Sequence, residues 1–200
     1  PTYFSKAKGC TIWDLNNKKF YDFSFMGVGT NILGYADSDV DKAVINEINK
    51  SNMSTLNAPA EVKLAEELIK IHPWSSMAKF ARTGAEANLI GIRLARAFTK
   101  KNKVIICGYH GWHDWYLSAK YAKIYNNLDT HLFKDLKIEG VDKNLKNSSY
   151  SVNYNDLNII KKLVKKDNDI ACIIMEVERD QTPKKNFLQL VRKICSTNNI

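Results

Sequence analysis

The sequence predicts an α/β fold built around a mainly parallel sheet. Residues 79–114 follow the order strand, glycine turn, helix, strand and aromatic loop. An apolar run at residues 78–81 precedes the helical pattern of residues 85–98, and a β-branched run follows at residues 104–107. A third apolar run, Ile170–Met175, has the composition of another buried strand. Parallel strands need a crossover connection, and a helix between them supplies one.

The beginning of the chain has the pattern of a β-hairpin. Residues 11–13 and 18–23 are typical of strands, and the four residues between them read Asp-Leu-Asn-Asn. Asn and Asp suit a turn because they tolerate left-handed conformations. A glycine-rich connection follows at residues 24–31. Residues 9–34 are therefore the one stretch that could form a separate lobe.

Five helices are predicted from the spacing of apolar residues. Ser38 is placed to cap the first helix, with an acidic residue in capping-box register. The predicted buried stripes are Val40, Val44 and Ile48; Leu64, Leu68 and Ile71; Ile90, Leu94 and Phe98; Leu157, Ile160 and Val164; and Phe187, Leu190, Val191 and Ile194. Between residues 120 and 154 the pattern is weak, which indicates a flexible active-site loop or one that packs on a second subunit.

The composition limits the classes of partner that the protein is expected to bind. Hydrophobic residues make up 44% of the chain and charged residues 26%, as in ordinary globular proteins. The net charge of +9 raises the question of nucleic acid, but the lysines are scattered beside helices and form no stripe with aromatic residues. We expect no nucleic-acid partner. There is no apolar run of membrane-spanning length and no apolar signal stretch at the start, so we expect no membrane partner and a cytoplasmic location.

Gly84 lies at the predicted turn from strand to helix. A glycine at this point lets the backbone approach a ligand closely. The first N–H groups of a helix have no partner within it, and the helix dipole favours a negative charge there. The pattern therefore indicates a phosphate or carboxylate site at the start of this helix. The alternative is a glycine that serves only to close the turn.

Aromatic rings are concentrated after the next strand, where residues 108–116 read GYHGWHDWY. Loops at the carboxyl ends of parallel strands are where open α/β sheets bind ligands. Rings at this density favour a flat ligand stacked on an aromatic face. Together with an anion site at Gly84, they point to a phosphorylated heteroaromatic molecule. The alternative is a hydrophobic plug beneath a loop.

Residues 83–88 (TGAEAN) and 109–111 (YHG) together resemble the class III aminotransferases, and the subgroup that looks most similar is that of the glutamate-1-semialdehyde aminomutase-like members. The resemblance extends from about Gly9 to the last residue. It implies a fold-type I transferase that uses pyridoxal 5'-phosphate. By position, Gly84 and Ala85 would hold the cofactor phosphate through backbone amides, and Tyr109 would stack on the pyridine ring.

The resemblance also implies a domain plan. Residues 1–34 would be the N-terminal β-meander of the family's small domain, and residues 35–200 a partial large domain. The family's catalytic aspartate and Schiff-base lysine would lie after residue 200, so we expect no catalytic residue in this chain and no activity from it alone. The intact enzyme would be a homodimer that moves an amino group between amine and carbonyl substrates, as an aminotransferase or as an aminomutase.

Glu176 lies at the carboxyl end of the third predicted strand. Many family members have Glu-Pro and a glycine-containing segment here, whereas residues 176–180 of this chain read EVERD. In relatives the region contacts cofactor or substrate, so Glu176 and Arg179 are candidate substrate-binding residues. Arg179 would bind a carboxylate or phosphate. The alternative is a surface ion pair.

Two other functions are open at this stage. Cys107, His110 and His113, followed by Asp114, have spacing and residue types that zinc can use. A chain without the lysine could also be a non-catalytic binding module with the same fold. Metal content separates the first alternative from cofactor binding. The second depends on whether the coding sequence continues past residue 200.

Overall fold

The computed structural model describes residues 3–51, 53–126, 128, 135, 137–178 and 181–200. The chain forms two compact units, Pro1–Ala78 and Lys79–Ile200. The boundary predicted between residues 34 and 35 separates two domains of the family and not two compact units, so it stays a prediction.

The first unit begins with an antiparallel meander of strands β1 (Phe4–Lys8), β2 (Thr11–Asp14) and β3 (Lys19–Tyr21), in that order across the sheet. This confirms the predicted hairpin and adds β1 before it. Asp14 closes the turn, because its Oδ1 accepts hydrogen bonds from the backbone N–H groups of Asn16 and Lys18, each at 2.9 Å. Asn17 takes the left-handed conformation expected in this turn, with φ of 60°.

Helices α1 (Ser38–Ile48) and α2 (Pro59–Ile71) complete the first unit. The cap of α1 was predicted at Ser38, but Asp37 occupies that position and accepts from the N–H groups of Asp39 and Val40. Neither helix buries a residue. The expectation that Val40, Val44 and Ile48 would be covered is therefore wrong within this unit, where each keeps about half of its surface exposed.

The second unit has a three-stranded parallel sheet, which confirms the predicted parallel arrangement and the strands predicted at residues 104–107 and 170–175, whereas its strand at residues 149–151 was not predicted. Its strands are β4 (Lys103–Cys107), β5 (Ser149–Ser151) and β6 (Ile170–Met175), and β4 lies between the other two. The helices are α3 (Gly84–Thr99), α4 (Asp114–Leu117), α5 (Leu157–Lys166) and α6 (Phe187–Thr197). Helix α5 makes the crossover from β5 to β6.

The core of this unit covers both faces of β4. Ile105 and Cys107 point to one face, and Val104 and Ile106 to the other, as alternation along a strand requires. On the first face they pack with Val152, Ile160, Leu163, Val164, Ile170, Phe187, Val191 and Cys195. On the second face they pack with Ile92, Trp115, Tyr116, Ala119 and Leu128. Helix α3, through Ile92, and the residues after the loop that follows β4, through Trp115 and Tyr116, thus pack on the same face of this strand.

An ion pair ties the start of β4 to the loop before β6. The Lys103 Nζ donates to Asp167 Oδ2 at 2.7 Å, and the Tyr150 hydroxyl donates to the same oxygen at 2.9 Å. Burial acts to raise the pKa of Asp167, but the hydrogen bonds from Lys103, the Asp169 backbone N–H and Tyr150 outweigh it and lower that pKa. The hydrogen bond to Asp167 also raises the pKa of Lys103.

Two predictions for this unit are wrong. Residues 78–81 form no strand, because a strand needs a hydrogen-bonded neighbour and the described residues provide none there. The apolar stripe of α3 was also placed on the wrong face. Ile92 is its buried contact with the sheet, whereas Leu94 and Phe98 are 63% and 84% exposed. The helix itself was predicted correctly, but the face of the helix that is buried was not.

The segment from residue 120 to 154 is only partly described. Its described part includes the end of a short 3-10 helix (Ser118–Tyr121), a second one (Lys143–Leu145) and β5. The Tyr121 hydroxyl donates to the Val141 carbonyl at 2.9 Å, and this hydrogen bond links the beginning of the segment to its later part. The prediction of a flexible loop falls in part on residues outside the described ranges. No helix of the described chain has the length and apolarity needed to cross a membrane.

Candidate functional site

An open pocket of about 370 Å³ lies at the carboxyl end of β4. Its lining residues are Thr83, Gly84, Ala85, Asn88, Tyr109, His110, Gly111 and Trp112. The three residues predicted to bind the cofactor, Gly84, Ala85 and Tyr109, therefore line one cavity. They come from two elements, the start of α3 and the loop after β4. Their binding role stays a prediction.

The start of α3 is arranged to present backbone N–H groups. Thr83 is the N-cap, and its Oγ1 accepts from the Glu86 N–H at 3.2 Å. Glu86 Oε2 accepts in return from the Thr83 N–H at 3.0 Å, which completes a capping box. The Gly84 and Ala85 N–H groups have no hydrogen-bond partner in the described chain. They remain available to an anion at the positive end of the helix dipole.

The space beside Gly84 is open. A Cβ built on this residue has no other atom within 4 Å. A ligand can therefore approach the backbone at this point without displacing a neighbour. Glycine is not needed here for a left-handed conformation, because the φ of Gly84 is not positive. Neither a left-handed backbone nor a close neighbour in the described chain therefore requires glycine at this position.

The aromatic loop is held by a buried ring beneath it. Tyr116 is fully buried, and it contacts Tyr109 edge to face with ring centroids 6.0 Å apart. Its hydroxyl donates to the Gly108 carbonyl at 3.3 Å. Tyr109 keeps 38% of its surface exposed at the pocket. Tyr116 is thus the packed ring of this loop, and Tyr109 is the ring at the cavity. Stacking of a ligand on Tyr109 stays a prediction.

Two contacts bring the loop against α3. The Asn88 Nδ2 donates to the His110 carbonyl at 3.1 Å. Gly111, with φ of +100°, passes so near the helix that an added Cβ would lie 2.7 Å from the Ala85 Cβ. Sequence reasoning assigned no role to Asn88 or Gly111. A signal was present at Asn88, because Asn is a poor residue for a helix interior unless its side chain has a specific partner.

His110 is a buried, neutral member of the site. Its ring Nε2 lies 3.2 Å from the Cys107 carbonyl. Burial lowers the pKa of His110 more than its hydrogen bonds raise it. The ring therefore anchors the loop to the end of β4 and does not carry a charge at neutral pH.

The zinc ligands considered above, Cys107, His110, His113 and Asp114, do not form a metal site in the described chain. Cys107 is fully buried in the core, and burial raises its thiol pKa to about 12, so it is protonated rather than a thiolate ligand. His110 lines the pocket, whereas His113 and Asp114 line a neighbouring cavity of about 330 Å³. In the part of the chain that is described, no three His, Cys, Asp or Glu side chains converge as metal ligands would.

Glu176 lies beside the loop, at the end of β6. Its backbone N–H donates to the Cys107 carbonyl at 3.2 Å, and its carboxylate approaches Gly108 so closely that a Cβ there would be 2.6 Å from Oε2. It is not among the residues that line the pocket. Arg179 lies outside the described residues. Substrate binding by either residue stays a prediction.

The arrangement suits a ligand that has a phosphate at one end and a flat ring at the other. Backbone donors at the helix start favour the anion, and a partly exposed aromatic ring favours the ring. None of the eight lining residues is a lysine. None of these eight side chains could therefore form a Schiff base with such a ligand.

Comparison with known proteins finds relatives along the whole chain. The model of the family Aminotransferase class-III matches residues 1–200. The glutamate-1-semialdehyde 2,1-aminomutase of Methanobrevibacter smithii is 36% identical over 207 residues, covering 100% of this chain and 47% of that enzyme. The chain thus spans about half the length of the curated relatives it matches.

Solved structures show the same fold. An omega-transaminase from Sphaerobacter thermophilus has a TM-score of 0.86 at 21% identity, covering 100% of this chain and 47% of that one. A transaminase with PLP bound has a TM-score of 0.80 at 20% identity, with coverage of 100% and 47%. The predicted fold class is confirmed as a partial α/β domain of the fold-type I transaminases, preceded by an antiparallel meander.

Proposed function

The chain belongs to the class-III aminotransferase family, and we propose that its pocket binds pyridoxal 5'-phosphate in an enzyme that transfers an amino group. The observation that carries this proposal is the convergence of Gly84, Ala85 and Tyr109 on one cavity. These residues were singled out from two separate stretches of sequence. Their meeting supports a single ligand with a phosphate and an aromatic ring.

Each part of the pocket has a defined task in this proposal. The N–H groups of Gly84 and Ala85 hold the phosphate, and the capping box of Thr83 and Glu86 keeps the helix start in place. Tyr109 stacks on the pyridine ring, supported from below by Tyr116. When bound, pyridoxal 5'-phosphate supplies the electron sink for chemistry at an amino-bearing carbon.

The remaining parts of the site are proposed to lie in a longer protein. The pocket is lined by no lysine, and relatives are about twice as long as this chain. We therefore place the acid that pairs with the pyridine nitrogen, and the lysine that holds the cofactor, beyond residue 200. Residues 1–200 alone are then inactive.

The proposed substrates are a small amine and a carbonyl compound. The relatives include an aminomutase and an omega-transaminase, so either a mutase or a transfer reaction is consistent with the family. Glu176, whose carboxylate lies against Gly108, and Arg179 are the proposed substrate-binding residues. A cytoplasmic homodimer remains part of the proposal, to be tested by the mass of the complete protein in solution.

Titration of the complete protein with pyridoxal 5'-phosphate tests the proposal. We expect a visible absorbance band that borohydride abolishes, with the label recovered on a lysine beyond residue 200. Tyr109→Leu should weaken cofactor binding about two- to ten-fold, the range expected for loss of an aromatic contact.

Tyr21→Leu is the matched control, because Tyr21 is an exposed tyrosine of β3. It should leave the affinity unchanged. A complete protein that takes up no cofactor would overturn the proposal and would favour a non-catalytic module.

A further inference from the structure

The candidate pocket has two walls that belong to different elements. One wall is the first turn of α3 with Asn88, and the other is the loop of residues 109–112. A ligand that contacts both walls is bound well only when their separation is fixed. The elements that set this separation are therefore as important for binding as the groups that contact the ligand.

Two contacts attach the loop to the end of β4. Tyr116 reaches the Gly108 carbonyl, and the His110 ring reaches the Cys107 carbonyl. These contacts hold the loop to β4 and to the core beneath it. They do not determine its distance from the start of α3.

Asn88 provides a direct tie between α3 and the loop. Its Nδ2 donates to the His110 carbonyl at 3.1 Å, across a sequence separation of 22 residues. His110 as a whole is 7% exposed and its hydrogen bond to Asn88 is partly buried, so removal of the amide would leave its carbonyl with reduced access to water. Gly111 limits how near the loop can come, because it already lies against Ala85. The hydrogen bond of Asn88 thus limits the largest separation of the two walls, and the contact of Gly111 with Ala85 limits the smallest.

We propose that Asn88 is a positioning residue, which sets the distance between the phosphate-binding start of α3 and the stacking ring of Tyr109. This inference rests on the proposed function, because it concerns how the same pocket holds pyridoxal 5'-phosphate. The side-chain amide acts through the His110 carbonyl. It orients the loop and takes no part in the chemistry.

The inference predicts a selective effect on ligands that use both walls. Asn88→Ala leaves the Gly84 and Ala85 N–H groups in place, so a ligand that needs only the helix start should bind as before. A ligand that also needs Tyr109 should bind less well. A role of Asn88 in the stability of α3 alone would weaken both kinds of ligand together.

The test uses the complete protein and two probes, pyridoxal 5'-phosphate by direct titration and inorganic phosphate by competition. Asn88→Ala should raise the dissociation constant of pyridoxal 5'-phosphate about ten-fold, as expected when a partly buried carbonyl loses its donor. The inhibition constant of inorganic phosphate should change less than about two-fold. Asn88→Leu, which keeps the size and removes the donor, should behave like Asn88→Ala.

Asn158→Ala is the matched control, since Asn158 is an exposed residue of α5. It should bind both probes as the wild type does. Wild-type affinity for pyridoxal 5'-phosphate in both Asn88 variants would overturn the positioning role, as would an equal loss of both probes. A wild-type protein that binds phosphate but not pyridoxal 5'-phosphate would instead overturn the proposed function.

Discussion

Gly111→Ala tests the close approach of the aromatic loop to α3. The added Cβ would lie 2.7 Å from the Ala85 Cβ and 3.2 Å from its Cα. Carbon atoms in favourable contact are about 3.5–4.0 Å apart, so the loop or the helix must move by roughly 1 Å. Overpacking of this kind costs about 1–3 kcal/mol. Placing alanine at the φ of +100° adds about 1–2 kcal/mol.

The steric part can be isolated with a second glycine. Gly140 has a φ of +93° and nothing within 4 Å of an added Cβ. Gly140→Ala should therefore lose only the conformational part, about 1–2 kcal/mol. The difference between the two variants in free energy of unfolding should be about 1–3 kcal/mol, measured by denaturant titration of the complete protein. Equal losses would show that the loop does not contact Ala85.

Three further outcomes follow from the structure. Gly84→Ala should change the free energy of unfolding by less than about 0.5 kcal/mol, because nothing surrounds the added methyl, yet it should weaken pyridoxal 5'-phosphate binding about ten-fold. Because the folded-state pKa of Asp167 is lowered, its ion pair with Lys103 stabilises the fold above pH about 4 and loses this effect as pH falls through the folded-state value. Denaturant titrations at several pH values should therefore show the deficit of Asp167→Asn shrinking in acid. Thiol labelling of the native protein should modify exposed Cys10 quickly and Cys107, whose pKa is raised to about 12, slowly.

Local signals in the sequence were enough for much of the fold. The β-branched run ending at Gly108 gave β4, and the Asp-Leu-Asn-Asn turn gave the first hairpin. Features that depend on distant partners were not accessible in this way. Residues 78–81 have a strand-like composition, but a strand exists only where a neighbour forms its ladder. Likewise, the spacing of α3 gives a helix, and only its packing decides that Ile92 faces the sheet.

The candidate site also combines features that the local sequence reveals with features that depend on distant contacts. Gly84 was predicted from a glycine at a strand-to-helix turn, which is visible locally, whereas Ala85 and Tyr109 were assigned by position from the resemblance to the family's motifs. The tie from Asn88 to the His110 carbonyl and the contact of Gly111 with Ala85 depend on how the loop folds over the helix. Such contacts join residues far apart in the sequence, and no local pattern specifies their distance.

The central claim is that the start of α3 and the aromatic loop together bind pyridoxal 5'-phosphate. A structure of the complete protein with this cofactor tests it most directly. The account predicts phosphate oxygens at about 2.9 Å from the backbone nitrogens of Gly84 and Ala85, with the pyridine ring against Tyr109. A cofactor bound away from these residues, or a phosphate held by other groups while Tyr109 packs into the core, would contradict it.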